Sequence, residues 1–141
     1  MTGPLDGLRV LEFGHAVAGP FAAGLLGDFG AEIIKIERPG VGDNLRVMGP
    51  KVDGYSIWWS VTGRNKKSIT LDLKSEQGLD IAKSLIQIVD VVVTNFAPGA
   101  MDRVGLSWPT MSGINPRLVR LNISGYGLTG PLKDRKGFGK I

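Results

Sequence analysis

From residue 8 to residue 37 the sequence spells strand, helix, strand, and this order constrains the fold more than any other feature of the chain. Residues 8–13 (LRVLEF) form a mostly apolar run of strand length. Residues 20–29 are small and apolar nearly all round, as a packed helix is, and residues 31–37 (AEIIKIE) are strand again. A connection of this kind makes the two strands parallel and the crossover right-handed. The alternation then repeats. Residues 67–73 (KSITLDL) read as a strand, after which Ser75 takes the N-cap with Glu76 in the first turn, where the helix dipole favours an acid. Leu79, Ala82, Leu85, Ile86 and Val89 recur at helical spacing and give one buried face. Residues 91–94 (VVVT) are unbroken β-formers, as expected of a central parallel strand covered on both faces. Residues 107–114 read as a short helix closed by Asn115-Pro116, and residues 118–123 (LVRLNI) alternate, the mark of a less covered strand. The expected fold is α/β, a Rossmann-like open, mostly parallel sheet with helices on both faces.

In such a sheet the ligand sits at the carboxyl ends of the strands, so the loops leaving Phe13, Glu37, Thr94 and Ile123 converge on the site. Two long segments without periodicity, 39–55 and 124–141, add to them. Glycine, at 21 of 141 residues, sits at the joints between apolar runs and shows no period. Gly14 and Gly19 have the GxxxxG spacing of a phosphate loop, but Pro20-Phe21 stands where Lys-Ser/Thr would hold phosphate and magnesium. What remains is a helix N-terminus with free N–H groups, suited to an anion or oxyanion. His15 lies in that loop and reads either as a hydrogen-bonding residue or as a ligand contact. Glu37 ends its strand where a ribose-binding acid would lie, and Arg38 can fork onto a phosphate. Asn95 and Phe96 read as a turn cap and a core residue or as a site, with Phe96 offering a face to an adenine and Arg103 neutralising a phosphate.

Charge narrows the ligand class. The chain carries 17 basic and 13 acidic residues, for a net +4. From Arg103 onward the basic residues are Arg103, Arg117, Arg120, Lys133, Arg135, Lys136 and Lys140, against the single acid Asp134, and Arg64, Lys66 and Lys67 form a second cluster. Each cluster is either solvated surface or a seat for a polyanion. No aromatic ladder accompanies them, which turns the reading from nucleic acid toward a phosphate-bearing small molecule. The absence of cysteine excludes disulfides, thiolate metal sites and a cysteine nucleophile, and with one histidine no metal centre is expected. Residues 16–27 contain Pro20 and fall short of the roughly 20 residues that cross a bilayer, and the start MTGPLDGLRV lacks a signal-peptide pattern, so a cytoplasmic location with no membrane contact is expected.

Taken together, GLRVLEFGHAVAGPFAAGLLGDFGAEIIKIERPGVGD, GRNKKSITLDLKSEQG, VVVTNFAPGAMDRVGL and SGYGLTGP followed by GFG resemble the N-terminal part of the family III CoA-transferases, the group of formyl-CoA transferase, CaiB and BaiF. The stretches come in the family's order over essentially the whole chain. The resemblance implies that residues 1–141 are the N-terminal part of a Rossmann-like domain that binds coenzyme A, in enzymes that form interlocked homodimers. It implies CoA contacts from His15, Ala16, Arg38, Leu71, Lys74, Asn95, Phe96, Arg103 and Lys136 or Arg135. Acyl-CoA and carboxylic acid substrates follow from it, with no metal. Formyl-CoA transferase has a glutamine where this chain has Val17, which turns the expectation away from oxalate and formate.

The reaction implied is CoA transfer through an aspartate nucleophile, which splits one difficult exchange into matched covalent steps. That aspartate falls downstream of the GFG segment, and none of Asp43, Asp53, Asp90, Asp102 or Asp134 matches it, so no catalytic residue is assigned in the 141 residues and the chain alone is expected to be inactive. The related α-methylacyl-CoA racemases carry a His-Asp pair where this chain has Phe138 and Gly139, so the racemase alternative lacks its proton donor. A non-catalytic CoA- or nucleotide-binding fragment is the other alternative.

Overall fold

The structure, a computed structural model, describes residues 3–135 and Gly137. In chain order its elements are β1 (Arg9–Glu12), α1 (Ala18–Asp28), β2 (Glu32–Glu37), a single 3-10 turn (Asn44–Arg46), the short hairpin β3 (Lys51–Val52) and β4 (Tyr55–Ser56), α2 (Ile57–Thr62), β5 (Lys66–Thr70), α3 (Glu76–Ile88), β6 (Val91–Thr94), α4 (Ala100–Arg103), α5 (Trp108–Ile114) and β7 (Val119–Asn122). The large sheet has the order β5-β2-β1-β6-β7, with every pair parallel. The expected α/β architecture is therefore the observed one. The chain begins in the middle of the sheet, builds outward through β2 and β5, then crosses back to β6 and β7. The strand order thus reverses between β1 and β6, and that is where an open α/β sheet leaves a crevice.

Right-handed crossovers in opposite directions put α1 on one face and α3 and α5 on the other. Val10, Ala23, Ala31, Ile33 and Val93 pack the α1 face. Leu11, Phe13, Ile36, Ala82, Ile86, Val92 and Met111 are among those that pack the opposite face. The α1 layer is thin because its buried residues are Gly19, Pro20, Ala23 and Gly24. The expected Ser75 cap holds, its Oγ accepting from Gly78 N–H at 3.1 Å, and Ser107, read as the first residue of its helix, is the N-cap of α5, its Oγ accepting from Thr110 N–H at 3.2 Å.

Boundaries differ from expectation where side chains intervene. The strand expected over 67–73 stops at Thr70, because Asp72 starts a turn in which its carboxylate accepts from Lys74 N–H and its carbonyl from the Ser75 hydroxyl. Within the segment read as aperiodic, the 39–55 loop holds the 3-10 turn and the hairpin, and α2 follows, capped by Ser56.

Candidate functional site

At the reversal point, the loop after β1 is held by side chains from three other parts of the chain. Lys35 Nζ donates to the Gly14 carbonyl at 2.7 Å. His15 N–H donates to Asn95 Oδ1 and Asn95 Nδ2 returns a bond to the His15 carbonyl, both at 2.9 Å. Ala16 N–H donates to Asp43 Oδ1 at 3.1 Å. These bonds over-determine the backbone at three successive residues, and they hold Ala16 at φ 58°, a left-handed conformation that costs a non-glycine residue of order 1–2 kcal/mol. The GxxxxG pair has a local explanation. A Cβ on Gly14 or Gly19 would lie 3.0 or 2.9 Å from Asn95 Oδ1, so the two glycines make room for the Asn95 amide, which sits 80 residues after His15.

Beneath this loop lies a cluster of charges on the α1 face of the sheet. Lys35 Nζ meets Glu12 Oε1 at 2.7 Å and Asp43 Oδ2 at 2.9 Å, and Lys66 Nζ meets Glu12 Oε2 at 2.8 Å and the Pro20 carbonyl at 2.6 Å. Glu37 accepts Arg46 through two bonds of 2.7 Å, Asp43 N–H at 2.7 Å and the Ser68 hydroxyl. Three acids thus face three bases. Burial alone would raise the Glu37 carboxyl, but the Arg46, Ser68 and Asp43 hydrogen bonds override it and hold the group at about 2. Burial pushes the Lys66 ammonium down, opposed by the Glu12 carboxylate. Trp59 closes the cluster, with the Arg46 guanidinium 3.9 Å above its ring. Such a network costs more to break than to leave out, because removing one member strands a buried charge.

Two adjoining clefts open above the cluster. They share Phe13, Ile36, Glu37, Arg38 and Phe96. One is walled by Gly14, His15, Asp43 and Asn44; the other, of about 490 Å³, by Leu71, Lys74, Ala100 and Met101, which is within the size range of small-molecule sites. The His15 ring stacks on Phe96 with centroids 5.0 Å apart and planes at 27°. Burial lowers the His15 pKa below its ordinary 6.5, with Asp43 opposing and Lys35 and Arg38 assisting, so the imidazole is neutral at neutral pH.

Of the residues singled out in the sequence, His15, Arg38, Leu71, Lys74 and Phe96 line these clefts. Asn95 and Ala16 belong to the loop clamp. Arg103 is exposed at the end of α4, whose Ala100 and Met101 line the larger cleft. Lys136 lies outside the described residues. Among the described residues, Arg38, Lys74 and Arg103 take part in no ion pair.

Two possibilities that the sequence left open are closed. Glu37 is no ribose acceptor, because both of its oxygens are already bonded inside the protein. The Arg64, Lys66 and Lys67 cluster is no anion seat either: Arg64 pairs with Asp28, Lys67 with Glu32, and Lys66 is buried against Glu12. Sequence reasoning missed Glu12, Lys35, Asp43 and Arg46. The available signal was an ionisable residue inside a run otherwise fit for a doubly covered parallel strand, where a charge is retained only if paired.

The match to known proteins runs through the whole chain. Residues 5–141 match the model of CoA-transferase family III. The succinyl-CoA–D-citramalate CoA-transferase of Chloroflexus aurantiacus is 49% identical over 139 residues, covering 98% of this chain and 35% of the relative. The human succinyl-CoA:glutarate CoA-transferase is 42% identical over 139 residues, again 98% of this chain and 32% of the relative. A crystal structure of a CaiB/BaiF family protein from Brucella suis superposes with a TM-score of 0.91 at 38% identity, over 98% of this chain and 38% of that one. The chain spans about a third of the length of the curated relatives it matches. With the family model matching residues 5–141 and the sheet superposing on a CaiB/BaiF family structure over 98% of the chain, the chain belongs to CoA-transferase family III.

Proposed function

We propose that residues 1–141 are the N-terminal part of the CoA-binding domain of a CoA-transferase that moves coenzyme A from an acyl-CoA to a carboxylic acid. The observation that carries this reading is the pairing of unpaired cations with apolar walls at the strand reversal. Arg38 and Lys74 border a cleft whose walls include Phe13, Ile36, Leu71, Phe96 and Met101, with the internally bonded Glu37 and with Asp72 also on its lining, which suits a ligand with phosphates at one end and an apolar arm at the other. His15 and Ala16 on the clamped loop, Asn95 and Phe96 at the end of β6, Arg103 on α4 and Lys136 beyond it complete the proposed contacts. The named relatives transfer CoA between succinyl-CoA and hydroxy- or dicarboxylic acids, which supports the same substrate class here.

In the proposed reaction an aspartate carboxylate attacks the acyl-CoA thioester, giving a mixed anhydride and releasing the CoA thiolate. The thiolate then attacks the aspartyl carbonyl, freeing the first acid, and the resulting aspartyl thioester passes CoA to the acceptor acid by the same two steps in reverse. No metal enters these steps. The nucleophile is assigned to none of the chain's own aspartates, and Asp43 is committed to Lys35 and to the loop. Within the same proposal the full-length enzyme is a cytoplasmic, interlocked homodimer.

Calorimetric titration with CoA tests the site. The expected result is binding that weakens about tenfold to a hundredfold in Arg38→Ala and Arg103→Ala, the worth of a charge-assisted contact to phosphate. Equal affinity in all three proteins removes the assignment.

A further inference from the structure

His15 is fixed more tightly than a simple wall residue needs to be. Its ring is stacked on Phe96, its backbone N–H and carbonyl are both bonded to Asn95, and its two neighbours are held by Lys35 and Asp43. The clamp and the stack together fix where the ring lies and the plane it occupies. In that orientation Nδ1 is fully buried and has no hydrogen-bond partner among the described residues, while the ring faces the cleft beside Arg38 and Asn44.

A neutral imidazole carries its proton on one nitrogen and a lone pair on the other. A proton on Nδ1 would leave a buried N–H without an acceptor, the costlier kind of orphan, and would turn a bare lone pair to the cleft. A proton on Nε2 leaves only an unused lone pair inside. We propose that His15 is held as the Nε2–H tautomer and uses that N–H as a hydrogen-bond donor to an oxygen of the ligand in the cleft. The ligand's identity as an acyl-CoA rests on the reading above; the tautomer does not. The oxygen belongs either to the thioester carbonyl or to the phosphate and pantetheine part of CoA. The role is that of a neutral donor placed in advance, which needs no reorganisation when the ligand arrives.

His15 is the only histidine of the chain, so one label reports on it alone. With 15N-histidine, a long-range proton–nitrogen spectrum of the ligand-free chain at neutral pH is expected to show a protonated Nε2 and a bare Nδ1. The opposite pattern overturns the proposal, whatever the chain binds. His15→Phe keeps the ring packing and removes the donor, whereas His15→Gln keeps a donor. The expected result is about tenfold weaker binding of succinyl-CoA by H15F and a loss within about threefold for H15Q. A loss by H15F for succinyl-CoA but not for free CoA places the accepting oxygen on the acyl group, and an equal loss for both places it on CoA; both outcomes support the donor. Unchanged affinity of H15F for both ligands overturns it. A wild-type chain that shows the Nε2–H tautomer and binds neither compound defeats the CoA reading and the ligand half of the proposal together. The spectrum needs no variant, so it decides the tautomer even where H15F fails to fold.

Discussion

The two ends of the sheet carry basic residues in similar number and put them to opposite use. At the amino ends of the strands, Arg9 and Lys67 face Glu32, and Arg64 faces Asp28 and the Val61 carbonyl. At the carboxyl ends, Arg38, Lys74 and Arg103 have no acidic partner among the described residues, although the Glu37 carboxylate is adjacent to Arg38 in sequence. Glu37 is unavailable because it points to the α1 face and is saturated by Arg46, Ser68 and Asp43 N–H. The cations at the carboxyl ends are left without ion pairs while Glu37 and Asp43 are engaged in the buried network and Asp72, on the same cleft, accepts from the Lys74 backbone N–H. The buried network beneath the loop fixes the loop and withdraws Glu12, Glu37 and Asp43 from competition with a ligand.

The strongest way to break this contrast is to remove a charge from the network itself. Lys35→Met is expected to lower stability by about 3–5 kcal/mol in urea unfolding, because Glu12 loses one of its two lysines and Asp43 Oδ2 loses its cation inside the protein. Arg38→Ala, at the open end, is expected to stay within about 0.5 kcal/mol of wild type in the same assay while losing its CoA affinity. Similar destabilisation by both variants would mean that the two groups of cations do not differ in kind.

The next effect is a pH dependence. Glu37 is held at about 2 in the folded chain against an ordinary 4.5, a difference worth about 3 kcal/mol at neutral pH. Its folded pKa is depressed, so this stability is fully present above pH 4.5 and is lost as the pH falls from there toward 2. Arg46→Met removes the bidentate partner, and the acid-dependent part of the unfolding free energy in that window is expected to shrink. An unchanged slope between the two proteins would show that Arg46 does not hold the carboxyl down.

Much of this architecture was legible in the residues, and the reasons for the exceptions are physical. The strand of residues 91–94 was read with its observed bounds because four β-formers between an acid and an amide leave no other choice. Helix α3 was read from its 3.6-residue period and its Ser75 cap. Helix α2 was not, since Ile-Trp-Trp-Ser-Val-Thr favours strands and its start depends on one local bond, from Trp59 N–H to Ser56 Oγ. The expected cleft residues could be placed because they follow strand ends whose order the βαβ rule fixes. The clamp could not, because its partners are far along the chain: Asn95 lies 80 residues from His15, and Asp43 lies 27 from Ala16. Glu12 and Lys35 interrupt otherwise apolar runs, a signal that they are buried and paired, but which charges pair with them is decided only by the tertiary fold. The same limit explains why the sequence leaves the cluster at Arg64, Lys66 and Lys67 open between solvated surface and an anion seat, for its acids come from α1, β1 and β2.

The smallest expected effect is also the sharpest check on that last point. In the double variant Arg64→Ala/Lys67→Ala two positive charges are lost, so a ligand attracted by net charge alone would bind more weakly. The ion pairs they make are exposed, with the Arg64 side chain 41% and the Lys67 side chain 74% accessible. Exposed pairs contribute little and are screened by salt, so the urea midpoint should fall only slightly at low ionic strength and coincide with wild type at high salt. Both residues sit at the amino ends of the strands, beside Asp28 and Glu32, at the opposite end of the sheet from the cleft. CoA affinity measured at physiological ionic strength is therefore expected to remain that of wild type, since a charge farther away than about 8 Å is largely screened under those conditions. A drop comparable to that of Arg38→Ala would show that the phosphates are read by the overall positive field of the chain and not by the few cations whose neighbouring acids are occupied.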